Sequence, residues 1–188
     1  MAGEASGVPR EKRQVDKRHE RKPPRRITPD YLQRAAMHYL ERYAAPAAQL
    51  RRVLERKVVL SCRHHGDEPG RFSSLLDEVV ARCVASGLVD DRRFAEARAA
   101  SLRRRGQSTR AVAAKLTAKG VTRDLAAEAS AVEPDDELAA ARIAAKRKRI
   151  GPWRRPDRPF ERQKEIAALA RAGFSMTIAR TVIDDGGG

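Results

Sequence analysis

The side chains best equipped for chemistry in this sequence are few. Cys62, His64, His65 and Cys83 are four potential zinc ligands, because thiolate and imidazole are the donors that zinc prefers. Their spacing matches no usual zinc finger, and Cys83 falls on an apolar helical stripe. One core thiol and a solvated loop are therefore expected, and no metal site. Asp90-Asp91 and the acidic run from Glu133 to Glu137 offer paired carboxylates of the kind used in acid–base or metal chemistry. Both stand at helix starts, where negative charge meets the positive end of the helix dipole and free N–H groups, so a structural role is expected. No GxxxxGK[ST], GxSxG or HExxH motif and no helical histidine pair occurs. The sequence thus predicts neither catalysis nor a cofactor.

The chemistry that the composition favours is electrostatic. In 188 residues, 40 Lys+Arg stand against 25 Asp+Glu, a net +15, which suits a polyanion or an acidic partner. The excess is uneven: residues 1–26 carry +5 and residues 142–158 carry +7. Arg142, Lys146 and Arg149 follow i, i+4, i+7 and so share a helix face, with Arg147 and Lys148 beside it. Arg103, Arg104 and Arg105 end an earlier helix, and Arg110, Lys115 and Lys119 follow on the next. Trp153, the single tryptophan, lies between Pro152 and Arg154-Arg155, where it could stack on a base, anchor a protein contact or cover a gap between units. These fourteen residues are the expected contacts with nucleic acid or a partner.

Helices must hold them in place. Apolar residues make up 41% of the chain but aromatics only 4%, and the abundance of alanine suits thin helices packed in layers better than a sheet. Thr28-Pro29 reads as an N-cap with proline at the first helical position. Leu32, Ala36, Tyr39 and Tyr43 then recur at helical spacing. The same periodicity returns along the chain, and nine helices fall into three triplets.

Punctuation supports a repeat. Gly120-Val121-Thr122 and Gly173-Phe174-Ser175 each follow a helix. Glycine takes the left-handed position, the apolar residue packs back, and the hydroxyl caps the next helix. The predicted architecture is all-α, with three tandem three-helix repeats stacked into an elongated, curved solenoid of either hand. The expected divisions are a disordered basic arm over 1–27, a divergent first repeat over 28–89 with an irregular insertion at 58–70, and a second repeat over 90–134. A third repeat over 135–185 follows, with a basic loop at 151–159 and a flexible tail at 186–188. Val58 stands where the first unit should have its glycine. No apolar run is long enough to cross a membrane and no secretory signal opens the chain, so a cytoplasmic protein with reduced, unbridged thiols is expected.

Gly87-Leu88-Val89-Asp90-Asp91-Arg92-Arg93-Phe94-Ala95, then Arg104-Arg105-Gly106, then Leu116-Thr117-Ala118-Lys119-Gly120-Val121, resemble the middle repeat of RecX, the bacterial regulator of the RecA recombinase. Leu169-Ala170-Arg171-Ala172-Gly173-Phe174-Ser175 is similar to that family's last helix junction. The resemblance spans roughly residues 30–184. It implies a monomeric, non-enzymatic protein that binds along the groove of the RecA filament on single- and double-stranded DNA. Such a protein would inhibit ATP hydrolysis, strand exchange and filament growth, modulating recombination, DNA repair and the SOS response. The alternatives are a helix-turn-helix-like protein acting directly on DNA and a purely structural scaffold.

Overall fold

The computed structural model describes residues 23–185. Among these residues there are nine α-helices and no strand. The first unit comprises α1 (Pro29–Leu40), α2 (Ala47–His65) and α3 (Ser73–Ala85); the second α4 (Asp91–Arg103), α5 (Thr109–Lys119) and α6 (Arg123–Ser130). The third holds α7 (Pro134–Lys148), α8 (Arg162–Arg171) and α9 (Met176–Asp184). Single-turn 3-10 segments precede α3 at Pro69–Phe72 and follow α7 at Gly151–Trp153.

Local chemistry sets most boundaries. Thr28, Asp90, Ser108 and Ser175 each accept a hydrogen bond from the backbone N–H three residues on, satisfying a donor that the helix leaves free. Thr122 occupies the equivalent position before α6, yet its hydroxyl makes no cap bond, contrary to the expectation. The glycine punctuation closes helices as anticipated. Gly120 lies at φ +101 and Gly173 at +95, while Val121 N–H donates to the Leu116 carbonyl and Phe174 N–H to that of Leu169. Both apolar residues are buried, completing a Schellman closure in each unit.

Each unit buries its own cluster. The first is built on Leu32, Leu50, Leu54, Leu76 and Val79. The second is small and alanine-rich, around Ala95, Ala99, Val112 and Leu116. The third sets four alanines of α7 against Ile166, Leu169, Val182 and Ile183. Inter-unit hydrogen bonds join the first unit to the second and the second to the third. None among the described residues joins the first to the third, so the units follow one another in series.

The first unit departs from the sequence expectation in two ways. Residues 58–65 are not irregular, because α2 runs unbroken through Val58 to His65. Leu50, Leu54, Val58 and Cys62 continue one stripe at steps of four and all are buried. The helix has 19 residues against 11 in α5, about 12 Å of extra length. Its left-handed cap is Gly66 at φ +76. The last residues of the expected basic arm are also ordered. The Arg25 carbonyl accepts from Ser61 Oγ at 2.8 Å, and His65 Nε2 donates to the Pro24 carbonyl at 2.9 Å. Ile27 packs on the first core. The remainder of the arm, residues 1–22, and the tail at 186–188 lie outside the described residues.

Candidate functional site

The end of α7 organises the basic surface. This helix opens with Asp135, Asp136 and Glu137 and closes with Lys146, Arg147 and Lys148, charges matched to both ends of its dipole. Arg149 N–H donates to the Lys146 carbonyl and Ile150 N–H to that of Ala145, both at 3.1 Å, while Ile150 is buried. This is the same Schellman closure, except that an arginine fills the glycine position at φ 56, ψ 53. All six other described residues with positive φ are glycine. Holding a side chain in that conformation costs about 1 kcal/mol. The left-handed turn also removes Arg149 from the helical face that it was expected to share with Arg142 and Lys146. Arg142 is itself compensated, pairing with Asp185 at 3.0 Å.

The loop that follows is pinned from inside. Glu165 is the single buried charged residue among those described. It accepts from the Gly151 N–H at 2.7 Å and pairs with Arg154 at 3.4 Å. Arg154 also lies 4.3 Å from the centroid of the Phe160 ring. Trp153 is half-buried against the third core, so it covers the fold rather than standing free to stack. Arg158 N–H donates to the Arg155 carbonyl at 3.0 Å, closing a turn with Pro156 at its second position, where a fixed φ suits it. The turn brings Arg155 and Arg158 together.

Three adjoining clefts result. The narrowest, about 210 Å³, is lined by Lys148, Arg149, Arg155 and Arg158 alone. It shares Lys148 with a cleft of about 450 Å³ at the junction of the second and third units, where Gln107, Arg147 and Arg171 also stand. On its other side it shares Arg149 and Arg158 with a cleft of about 330 Å³ that reaches Lys164 and Glu165. Glu161 on that side pairs with Lys164 at 2.7 Å.

The expected contact residues therefore divide. Arg147, Lys148, Arg149 and Arg155 line this run of clefts, with Lys146 exposed on α7 and Arg104 and Arg105 exposed after α4. Lys115 bonds the Gln107 side chain that borders the run. Arg103 is committed to the fold: it donates to the Ser130 carbonyl and lies 3.9 Å from Glu137, with both side chains largely buried. Arg147 donates to the Arg105 carbonyl, tying α7 to the end of α4. Arg110 borders a separate cavity beside Gly173, and Lys119 sits at the opposite end of α5 against the first unit. Those ends are about 14 Å apart along the helix. Sequence reasoning missed Arg158, Lys164, Arg171 and the exposed Phe160. Arg155-Pro156-Asp157-Arg158 carried a readable turn signal; Arg171 had none, since only the packing of α8 against α7 brings it into the same cleft as Arg147.

The other candidate chemistry resolves into structure. Cys62 and Cys83 are both buried in the first core with free thiols, so Cys62 is not in a solvated loop, and burial pushes both thiols above their ordinary value. No group of three or more metal-ligating side chains occurs among the described residues. Asp91 and Glu137 cap helices of the preceding unit. No helix among these residues is long and apolar enough to cross a membrane.

Comparison with known proteins points to one family. Residues 90–129 match the family model described as RecX, second three-helix domain. The chain is 47% identical over 175 residues to the regulatory protein RecX of Myxococcus xanthus, covering 90% of this chain and 94% of that one. It is 32% identical over 154 residues to the regulatory protein RecX of Agrobacterium fabrum, covering 81% and 82% respectively. In three dimensions it resembles the crystal structure of RecX from Lactobacillus salivarius, with a TM-score of 0.66 at 16% identity over 85% of this chain and 96% of that one.

Proposed function

Since this chain belongs to the RecX family of regulatory proteins, we propose that it binds the RecA recombinase filament on DNA and restrains its ATPase, strand exchange and growth. It acts as a non-enzymatic monomer in the cytoplasm, modulating recombination, DNA repair and the SOS response. The observation that carries this reading is the run of basic clefts that starts at the junction between the second and third units and continues along the third. A groove in which cations predominate attracts a polyanion and tracks its backbone. The repeats at 28–89, 90–134 and 135–185 are successive contact modules, so one molecule bridges neighbouring protomers and obstructs their addition or exchange. The strongly cationic segment 142–158 of the third unit meets DNA phosphate, and helical faces elsewhere are left for protein.

The decisive measurement is the single-stranded-DNA-dependent ATPase rate of the cognate RecA during titration with the full chain. Inhibition well below one molecule per protomer is expected. An unchanged rate up to equimolar protein, with DNA shown not to be sequestered, overturns the reading and leaves direct action on DNA.

A further inference from the structure

We infer that the narrow cleft formed by Lys148, Arg149, Arg155 and Arg158 is a clamp for adjacent backbone phosphates of single-stranded DNA. This deepens the reading above by giving one place on the chain a defined ligand. Four cations line about 210 Å³ with no acidic side chain among them. An anion that enters the cleft therefore meets several cations at once. The nearby acids are largely engaged elsewhere: Glu165 by the Gly151 N–H and Arg154, and Glu161 by Lys164. Asp157 stands exposed in the Arg155–Arg158 turn.

Two features show that the cleft is built rather than incidental. Arg149 holds a left-handed conformation that glycine fills at all six other such positions. Glycine there would relieve the strain, so what the position gains from arginine is its side chain, the situation in which backbone strain marks a functional residue. The base of the loop is also fixed by buried Glu165, and the Arg155–Arg158 turn is closed by its own hydrogen bond. The backbone that carries the cations is therefore fixed in advance, which lowers the ordering cost of binding.

The number of charges selects the ligand. A carboxylate brings one negative charge and is saturated by a single bidentate arginine, whereas four convergent cations match successive phosphodiesters. Phe160 directly follows Pro159 of this loop and is 51% exposed, with Arg154 against its ring. An exposed aromatic beside a phosphate track is the arrangement on which unpaired bases stack.

The test is binding of the full-length chain to a fluorescent oligothymidylate, followed by anisotropy across a salt series. Arg155→Ala/Arg158→Ala should weaken binding at least tenfold and lower the salt slope by about 1.4, since each phosphate contact on a single strand contributes about 0.7. Arg149→Gly should weaken binding while leaving the melting temperature unchanged or higher, which a merely structural arginine could not do. Equal affinity and slope in all variants overturn the clamp. So does DNA binding that is unchanged while the variants lose binding to DNA-free RecA, because the cleft then serves an acidic protein face. Wild-type inhibition of the RecA ATPase reports separately on the broader reading: it can persist when the clamp fails, and fail when the clamp stands.

Discussion

The two inter-unit junctions are the same device built from different side chains. At each, the start of a unit's second helix is capped by a carboxylate from the first helix of the following unit. Asp91 accepts from the Ala47 N–H at 2.8 Å, and Glu137 from the Thr109 N–H at 3.0 Å. At each, the glycine that closes the following unit's second helix rests on that same helix start. An added Cβ would lie 2.6 Å from Ala48 Cβ at Gly120 and 2.5 Å from Ser108 Oγ at Gly173. The adjoining helix-end carbonyl is also bonded in both, Lys119 by the long, exposed Arg52 at 2.7 Å and Ala172 by the fully buried Ser108 hydroxyl at 2.7 Å. The second junction adds the Arg103–Glu137 pair, the Arg147 tie to the Arg105 carbonyl, and Gly106 pressed against α7. Side-chain length and burial thus make the second contact the stiffer one. One of the basic clefts spans that contact and the other two adjoin it, so the charge is displayed beside the better supported junction.

Several substitutions separate the junctions, and the largest effect falls at Gly106. Its φ is +71, and an added Cβ would meet the Ala144 backbone nitrogen at 2.7 Å and Ile143 Cγ2 at 2.9 Å. Backbone cannot yield as a flexible side chain does, so Gly106→Ala combines left-handed strain with overpacking, about 2–4 kcal/mol. Thermal unfolding should show a fall of many degrees. A melting temperature within a degree or two of wild type would mean that α4 and α7 are not in close contact, and the claimed tightness of this junction would be lost.

Glu137 and Asp91 test the shared cap. Glu137→Ala removes the acceptor for the Thr109 N–H and hydroxyl and leaves the largely buried Arg103 without its acid. A loss of about 2–3 kcal/mol is expected. Asp91→Ala removes one cap bond to Ala47, worth about 1 kcal/mol. Denaturant titration of both variants gives the ranking directly. Equal losses would show that the ion pair adds nothing to the second junction.

Gly66 is the counterpart without a junction. It closes α2 in the left-handed region as Gly120 and Gly173 close α5 and α8, but among the described residues no unit precedes its own and nothing lies within 4 Å of an added Cβ. Gly66→Ala should cost only the conformational strain, about 1 kcal/mol, whereas Gly120→Ala adds the clash with Ala48. If the two cost the same by thermal melting, Gly120 does not touch the first unit.

How much of this was legible follows from the range of each interaction. Glycine, an apolar residue and a hydroxyl in succession report a helix closure completed within six residues, which is why the C-terminal ends of α5 and α8 could be placed from sequence alone. The extension of α2 was hidden because Arg63-His64-His65 look like a loop, while Ser61 and Cys62 carry the buried face one more turn. Positive charge was legible as density but not as allocation. Arg142 finds Asp185 43 residues away and Arg103 finds the Ser130 carbonyl 27 residues away, and neither partner is marked in the local pattern. The narrow cleft required two local signals, a helix end and a proline turn, to meet in space.

The smallest effect separates the two ways of bonding the helix-end carbonyl. Arg52 is exposed and reaches Lys119 across the first junction through a long side chain that must be ordered to do so. Arg52→Ala should therefore cost a few tenths of a kcal/mol and up to about 1. Ser108→Ala removes a hydroxyl that both bonds the Ala172 carbonyl and accepts from the Ala111 N–H at 3.2 Å. It leaves those groups unpaired at a buried site, so about 1–2 kcal/mol is expected. Denaturant unfolding of the pair should place Ser108→Ala below Arg52→Ala in stability. The reverse order would make the first junction the tighter one, and the support for the basic clefts would then have to come from within the third unit, through Glu165 and its hold on Gly151.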